Sequence, residues 1–233
     1  MKTLSILIIL LIATLNYSYS QTSFGPKAGI NISNINNSIS DTEFPTNLNN
    51  KPGYYLGAFA QKEFNNSLIL RAELLYSLKG AFYDNYRGND QLKTYENLRY
   101  INLPLLIGFR PIRNITLLAE NISVLVGAEL GYFFERWTFS KDMAGKRMVA
   151  SGRLPSGYQA FDKALTAGVS YKFNSSLEVE ARYNYGFKNI FSDIEAGANR
   201  VFQFGMAYHF FQSPAKTGNS KLLINQKTPR FSF

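Results

Sequence analysis

The residues of this sequence that could do chemistry are one histidine, His209, and a set of charged side chains at alternate positions. There is no cysteine, which excludes thiol catalysis, disulfides and thiolate metal sites. A hydrolase that uses histidine needs a serine or an acid beside it, whereas a carboxylate-only mechanism would use Glu129, Glu178 or Glu180. These acids are better explained as ion-pair partners, because a buried charge without a partner is costly. The sequence therefore predicts no catalytic residue.

Two other kinds of site are missing from the sequence as well. There is no glycine-rich loop of the kind that binds phosphate, and no spacing typical of metal ligands. We therefore expect neither a cofactor nor a metal site, and we identify no small-molecule substrate.

The charged residues lie on strands with two contrasting faces. In residues 177–187 every second side chain is apolar, and those between them include Glu178, Glu180 and Arg182. Successive side chains of a β-strand point to opposite sides, so this pattern predicts a strand with one apolar and one charged face. The apolar face ends in tyrosines and a phenylalanine, as is common at a membrane–water boundary.

The rest of the chain predicts more strands of this kind. The eight predicted strands are residues 27–34, 52–64, 68–82, 99–109, 124–134, 161–173, 177–187 and 200–211. Their connections alternate in length, with short turns at 65–67 and 174–176 and long loops at 35–51, 83–98 and 135–160. Residues 110–123 are ambiguous, because they fit either a long connection or a turn at Pro111 followed by an early strand.

Alternation alone does not say which face points inward. A soluble barrel buries its apolar face, and a membrane barrel buries its polar face. The mixed charges and small residues of the polar face fit a crowded interior, and the alternating loop lengths fit a membrane barrel. We therefore predict an all-β fold, an eight-stranded antiparallel up-and-down transmembrane β-barrel with a polar, filled interior. A filled interior excludes a general porin.

The polar faces predict a charge network inside this barrel. Its expected members are Arg71, Glu73, Glu129, Lys172, Glu178, Glu180 and Arg182. We expect Lys172 to pair with Glu178 or Glu180, and Arg182 to pair with an acid on an adjoining strand. His209 is expected near the end of the barrel where the short turns lie.

The two ends of the chain differ from the strands. A positive Lys2, an apolar run at 4–15 and small residues before Gln21 predict a signal peptide over 1–20. The barrel domain is then expected over 21–211, and a basic, disordered tail over 212–233.

The formal net charge is +9, which predicts acidic neighbours. For an exported chain we expect membrane surfaces rather than nucleic acid. A basic loop could contact lipid headgroups, and its cations are Arg136, Lys141, Lys146, Arg147 and Arg153.

Five stretches, taken in order, resemble a known family. They are FGPKAGINISN at 24–34, AELLYSLKG at 72–80, INLPL at 101–105, GAELG at 127–131 and ARYNYGFKNI at 181–190. Together they resemble the PorT-like outer-membrane β-barrels of Bacteroidetes, over nearly the whole chain after the signal peptide. The tail after residue 211 departs from the usual ending of that family, which lies near the last strand.

The resemblance implies an integral outer-membrane barrel, and it implies no reaction. Because the sequence also predicts no catalytic residue, we expect a non-enzymatic structural or interaction protein of the cell envelope. Its expected partners are outer-membrane lipid and other envelope or secretion proteins, because the founding member of the family is linked to protein secretion. Two alternatives stay open, a lipid-modifying outer-membrane enzyme and a soluble, lipocalin-like ligand-binding barrel.

Overall fold

The described part of the chain folds into nine β-strands. The computed structural model describes residues 20–36, 48–64, 67–87, 90–110, 121–142, 147–152, 159–187 and 197–210. The strands are β1 Ser20–Asn36, β2 Asn49–Phe64, β3 Leu68–Arg87, β4 Asp90–Phe109, β5 Ile122–Asp142, β6 Arg147–Gly152, β7 Phe161–Lys172, β8 Leu177–Gly186 and β9 Ala198–Tyr208. Among these described residues, no helix is long and apolar enough to cross a membrane.

Eight of the nine strands close into a ring. Around the ring, each strand pairs antiparallel with the next ring strand in the chain, so that β5 pairs with β7. Strand β1 pairs with β9 and closes the barrel. Strand β6 lies outside the ring and pairs with β5. The predicted eight-stranded, up-and-down antiparallel barrel is therefore confirmed.

The barrel is apolar outside and polar inside. In β4, alternate residues from Ile101 to Phe109 are apolar and 39–57% exposed, while Asn102 between them is fully buried. The nine residues from 101 to 109 thus have an apolar outward face, and their number matches the 9–11 residues that a tilted strand needs to cross hydrocarbon. This distribution is the reverse of that in a soluble barrel, and it fits a lipid-facing wall around a polar lumen.

Two short turns close one end of the barrel. The Ser67 amide donates to the Phe64 carbonyl at 3.1 Å, between β2 and β3. Between β7 and β8, the Asn174 side chain accepts from the amides of Ser176 and Leu177, both at 2.8 Å. Asparagine favours this kind of turn because its side chain replaces a backbone acceptor. We call this the turn end of the barrel.

Two predicted loops are partly strand in the structure. The predicted loop 83–98 is wrong, because residues 83–87 continue β3 and residues 90–98 begin β4. The predicted loop 135–160 is also partly strand, since β5 runs to Asp142 and β6 follows. These segments mix charged and apolar side chains on both faces, so they lack the apolar alternation that revealed the other strands.

The extended strands form a sheet beyond the barrel. We call it the projecting sheet, and it comprises residues 80–87, 90–99, 135–142 and 147–152. Two irregularities mark its base. Gly80 has a φ of 136°, which L side chains rarely adopt, and a register shift leaves Phe134 as an extra residue in β5. Such a bulge bends a strand and increases its twist.

The ends of the strands show two further differences. Strand β1 begins at Ser20, seven residues before the predicted start, and its first residues pair with the end of β2. Strand β4 ends at Phe109 and β5 begins at Ile122, and residues 111–120 between them lie outside the described residues. The predicted signal peptide, apart from Ser20, and the predicted tail also lie outside them.

Candidate functional site

Four charged side chains cross the middle of the lumen. Lys27 Nζ lies 2.8 Å from Glu73 Oε1 and 2.5 Å from Glu180 Oε1. Arg182 Nη2 lies 2.7 Å from both Glu73 Oε2 and Glu180 Oε1. All four side chains are 0% exposed, and the Tyr55 hydroxyl donates to Glu180 at 3.2 Å. This central layer joins β1, β3 and β8 with two cations and two acids.

A second layer lies toward the turn end, around Arg71. Arg71 Nη2 lies 2.6 and 2.8 Å from the two oxygens of Glu178, and Arg71 Nε donates to Gln61 at 2.7 Å. His209 Nε2 is 3.0 Å from Glu178 Oε2, and His209 Nδ1 is 3.0 Å from Ser23 Oγ. This turn-end layer therefore places one arginine and one histidine on the same carboxylate.

A third layer lies toward the projecting sheet, around Lys79. Lys79 Nζ lies 2.7 Å from Glu129 and 3.8 Å from Asp162. Asn184 donates to Glu129 at 3.1 Å, and Asn199 donates to Asp162 at 2.7 Å. The two amides donate hydrogen bonds to these carboxylates that the single lysine cannot supply, and buried carboxylates need such donors.

Six of the seven expected network residues lie in these three layers. The seventh, Lys172, lies at the turn-end rim, 3.6 Å from Glu63, which also binds Arg110 at 2.8 Å. The expected pairing of Lys172 with Glu178 or Glu180 is therefore wrong. Although Lys172 stands opposite Glu178 in the register, Arg71 and His209 already bind both oxygens of that acid.

The expected pairing of Arg182 with an adjoining strand is also wrong. The residues opposite Arg182 on the two adjoining strands are Gly168 and Gln203, neither of which is an acid. The missing side chain of Gly168 leaves space, since an added Cβ would lie 2.6 Å from Arg182 Cγ. Arg182 therefore reaches across the lumen to Glu73 on β3.

The expected network omitted three of its charged members, Lys27, Lys79 and Asp162. Lys27 and Lys79 stand on the polar faces that alternation predicted, so their positions carried the necessary signal. With them, the three layers contain four lysines and arginines and five acids, and His209 lies beside one of these acids, Glu178. A nearly neutral network satisfies the requirement that buried charges be paired.

Ser23, His209 and Glu178 form a row with the connectivity of a serine hydrolase. The arrangement differs from a working site in access, because Ser23 and His209 are each only 3% exposed. The Glu178 carboxylate is shared with Arg71, and the His209 ring packs edge-on against Phe59 at 4.8 Å. The row is thus built into the packed interior. Among the described residues, no three His, Asp or Glu side chains are placed to hold a metal ion.

Three of the five cations of the expected lipid-headgroup loop lie on strands that the structure describes. Arg136 is bound to Glu96 through both Nε, at 2.8 Å, and Nη2. Lys141 is exposed and stands opposite Lys93 in the register. Arg147 stands opposite Lys141 in β6, but its side chain, like Lys146 and Arg153 as a whole, lies outside the described residues.

Three solved structures of outer-membrane proteins are similar to this chain. Ail of Yersinia pestis is 16% identical, with 82% of this chain and 99% of that chain covered and a TM-score of 0.40. Neisserial surface protein A is 16% identical, with coverage of 81% and 99% and a TM-score of 0.44. OprG of Pseudomonas aeruginosa is 12% identical, with coverage of 82% and 95% and a TM-score of 0.34. No curated protein matches the chain.

The family follows from the sequence itself. Residues 18–192, about three quarters of the chain, match the family described as "Outer membrane protein beta-barrel domain". The closed ring, the apolar wall and the polar lumen are the features that such a barrel needs in hydrocarbon. The chain therefore belongs to the outer membrane protein beta-barrel domain family and lies in the outer membrane.

Proposed function

We propose that this protein is a non-enzymatic, non-conducting barrel that acts as a structural or interaction protein of the cell envelope. The observation that carries the proposal is the three-layer charge network, whose ion pairs join strands that do not pair with each other. Two of them, Arg182 with Glu73 and Arg71 with Glu178, join β3 and β8 on opposite sides of the lumen. The interior of an eight-stranded barrel is just wide enough for its side chains to fill. A lumen occupied in this way leaves the outer surface and the projecting sheet to make functional contacts.

The partners proposed for this barrel are outer-membrane lipid and other envelope proteins. Outer-membrane barrels expose short turns to the periplasm and long loops to the outside, which places the projecting sheet outside the cell. The resemblance to PorT-like barrels of Bacteroidetes supports a finer proposal, a link to protein secretion. Proteins that co-purify from detergent-solubilised outer membrane would test it, and recovery of secretion components would support it.

In planar bilayers, we expect the purified full-length protein to give no large, steady current steps. The reason is that ions would have to displace buried ion pairs at three levels of the lumen. A general porin measured in the same bilayer serves as the positive control. Reproducible open steps from this protein would contradict the closed lumen and, with it, the proposed function.

The connectivity of Ser23, His209 and Glu178 suggests a second candidate function, hydrolysis of an envelope lipid, although the burial of the row argues against it. Because the row is buried, we expect the protein to release no fatty acid from phospholipid or lipid A vesicles, and Ser23→Ala to leave its envelope function intact. Fatty-acid release by the wild type that is lost in Ser23→Ala and His209→Ala would instead establish the hydrolase.

A further inference from the structure

The outward face of the projecting sheet carries a ladder of aromatic rings. Phe82 and Tyr95 stack at 5.6 Å between centroids, Tyr95 and Phe139 stack at 4.6 Å, and Trp137 lies 5.3 Å from Phe139. The rings of Tyr95 and Phe139 are within 10° of parallel, so each covers a face of the other. The edges of an aromatic ring are the positive part of its quadrupole. Because the stacked rings cover each other's faces, the accessible parts of the ladder include their edges, which favour an anion.

A row of charged residues lies one step further along the same face. Asp84, Lys93 and Lys141 are exposed and stand at matching register positions on β3, β4 and β5. They are two residues beyond Phe82, Tyr95 and Phe139, so they point to the same side. Within the part of the chain that the structure describes, neither lysine has an ion-pair partner. Like charges directly opposite each other in a sheet are unfavourable, and a bound anion would relieve them.

The height of this row above the membrane narrows the choice of anion. Eight residues separate Lys93 from Ile101, an outward apolar residue at the top of the lipid-facing stretch of β4. At about 3.4 Å per residue and a tilt of roughly 40°, the lysine row stands about 20 Å above that level. The headgroup region of a leaflet is only about 5–8 Å deep. Phospholipid headgroups are therefore out of reach, whereas the sugars of an outer-leaflet glycolipid extend to this level.

We propose that Lys93, Lys141 and the aromatic ladder bind the phosphorylated sugar portion of an outer-leaflet glycolipid. The lysines bind its phosphate groups, and the ladder provides an apolar ridge with positive edges beside them. This inference rests on the proposed function, in which the barrel acts through surfaces outside its lumen. It assigns to that surface a ligand class and two contact residues.

Trp137 is the only tryptophan of the chain and lies in the ladder, so its fluorescence reports binding directly. The full-length protein in phosphatidylcholine nanodiscs is titrated with the phosphorylated core oligosaccharide released from lipopolysaccharide. We expect a saturable change in Trp137 emission that weakens as salt is added. The dephosphorylated oligosaccharide, inorganic phosphate and phosphatidylglycerol nanodiscs are expected to give no such change.

The variant carrying Lys93→Gln and Lys141→Gln is expected to bind about tenfold more weakly, because it loses two charge-assisted contacts to phosphate. The matched control, Lys62→Gln with Lys163→Gln, removes two lysines elsewhere and should bind like the wild type. Thermal unfolding of the Lys93 and Lys141 variant should be unchanged, since both lysines are exposed. An unchanged affinity in the Lys93 and Lys141 variant, or equal binding of the dephosphorylated oligosaccharide, would overturn the proposal. A conducting lumen would overturn the proposed function without altering this titration.

Discussion

Replacing Arg182 by methionine is expected to lower the free energy of unfolding in liposomes by about 3 kcal/mol or more. Arg182 binds both Glu73 and Glu180 at 2.7 Å in a layer without exposure to water. Without it, Glu73 and Glu180 keep Lys27 and the Arg71 Nη1 that lies 3.4 Å from Glu180, and the central layer carries one buried negative charge in excess. Breaking a buried pair costs more than losing a surface pair because the remaining charge has no water to replace its partner.

Two controls make this measurement specific. Arg99 binds Glu135 at 2.5 Å, but the two side chains are 37% and 30% exposed, so Arg99→Met should cost about 1 kcal/mol or less. Adding Glu180→Gln to Arg182→Met restores the balance of charge in the central layer, and part of the lost stability should return. If Arg182→Met unfolds like the wild type, the lumen is hydrated and the network is not what holds it closed.

Replacing Leu105 by arginine is expected to destabilise the barrel by about 2–4 kcal/mol. Leu105 is 57% exposed and lies at the centre of the apolar stretch from Ile101 to Phe109, where a charge must enter hydrocarbon. Leu177, beside the turn between β7 and β8, offers the comparison at the rim. There an arginine can reach the interface, and the cost should fall to about 0–1 kcal/mol.

Unfolding of both variants in liposomes by denaturant tests this dependence on depth. On a surface that faces water, exchanging an exposed leucine for arginine changes stability little at either position. Equal and small effects of Leu105→Arg and Leu177→Arg would therefore contradict a lipid-facing wall. A larger effect at Leu177 than at Leu105 would mean that the membrane crosses the barrel at a different level.

The alternation of side chains was enough to predict the ring of strands and the face on which each charge lies. Residues such as Glu73, Glu129 and Arg182 are inside because their strands alternate, and a single strand contains that information. Which charges meet is a different matter, because it depends on the stagger of strands around a closed barrel. Lys27, Glu73 and Glu180 meet although they lie on three strands, none of which pairs with another of the three.

The projecting sheet was missed for a related reason. Its strands carry Asp84, Lys93 and Lys141 on one face and Glu96 and Arg136 on the other, so neither face is plainly apolar. Strands that mix charged and apolar residues on both faces leave no clear period-two pattern of hydrophobicity to recognise. Their order comes from cross-strand ring stacking and backbone pairing, which appear only once the strands are placed side by side.

The central layer also constrains how the protein reaches its membrane. Strand β8 carries Glu178, Glu180 and Arg182 within five residues, and their main partners lie on other strands. A strand that entered the bilayer alone would expose these charges and its unpaired backbone to hydrocarbon. The partners become available only when β1, β3 and β8 are brought around the same axis. Insertion and closure of this barrel must therefore occur as one concerted step, with partly inserted intermediates disfavoured by the same charges that hold the finished barrel together.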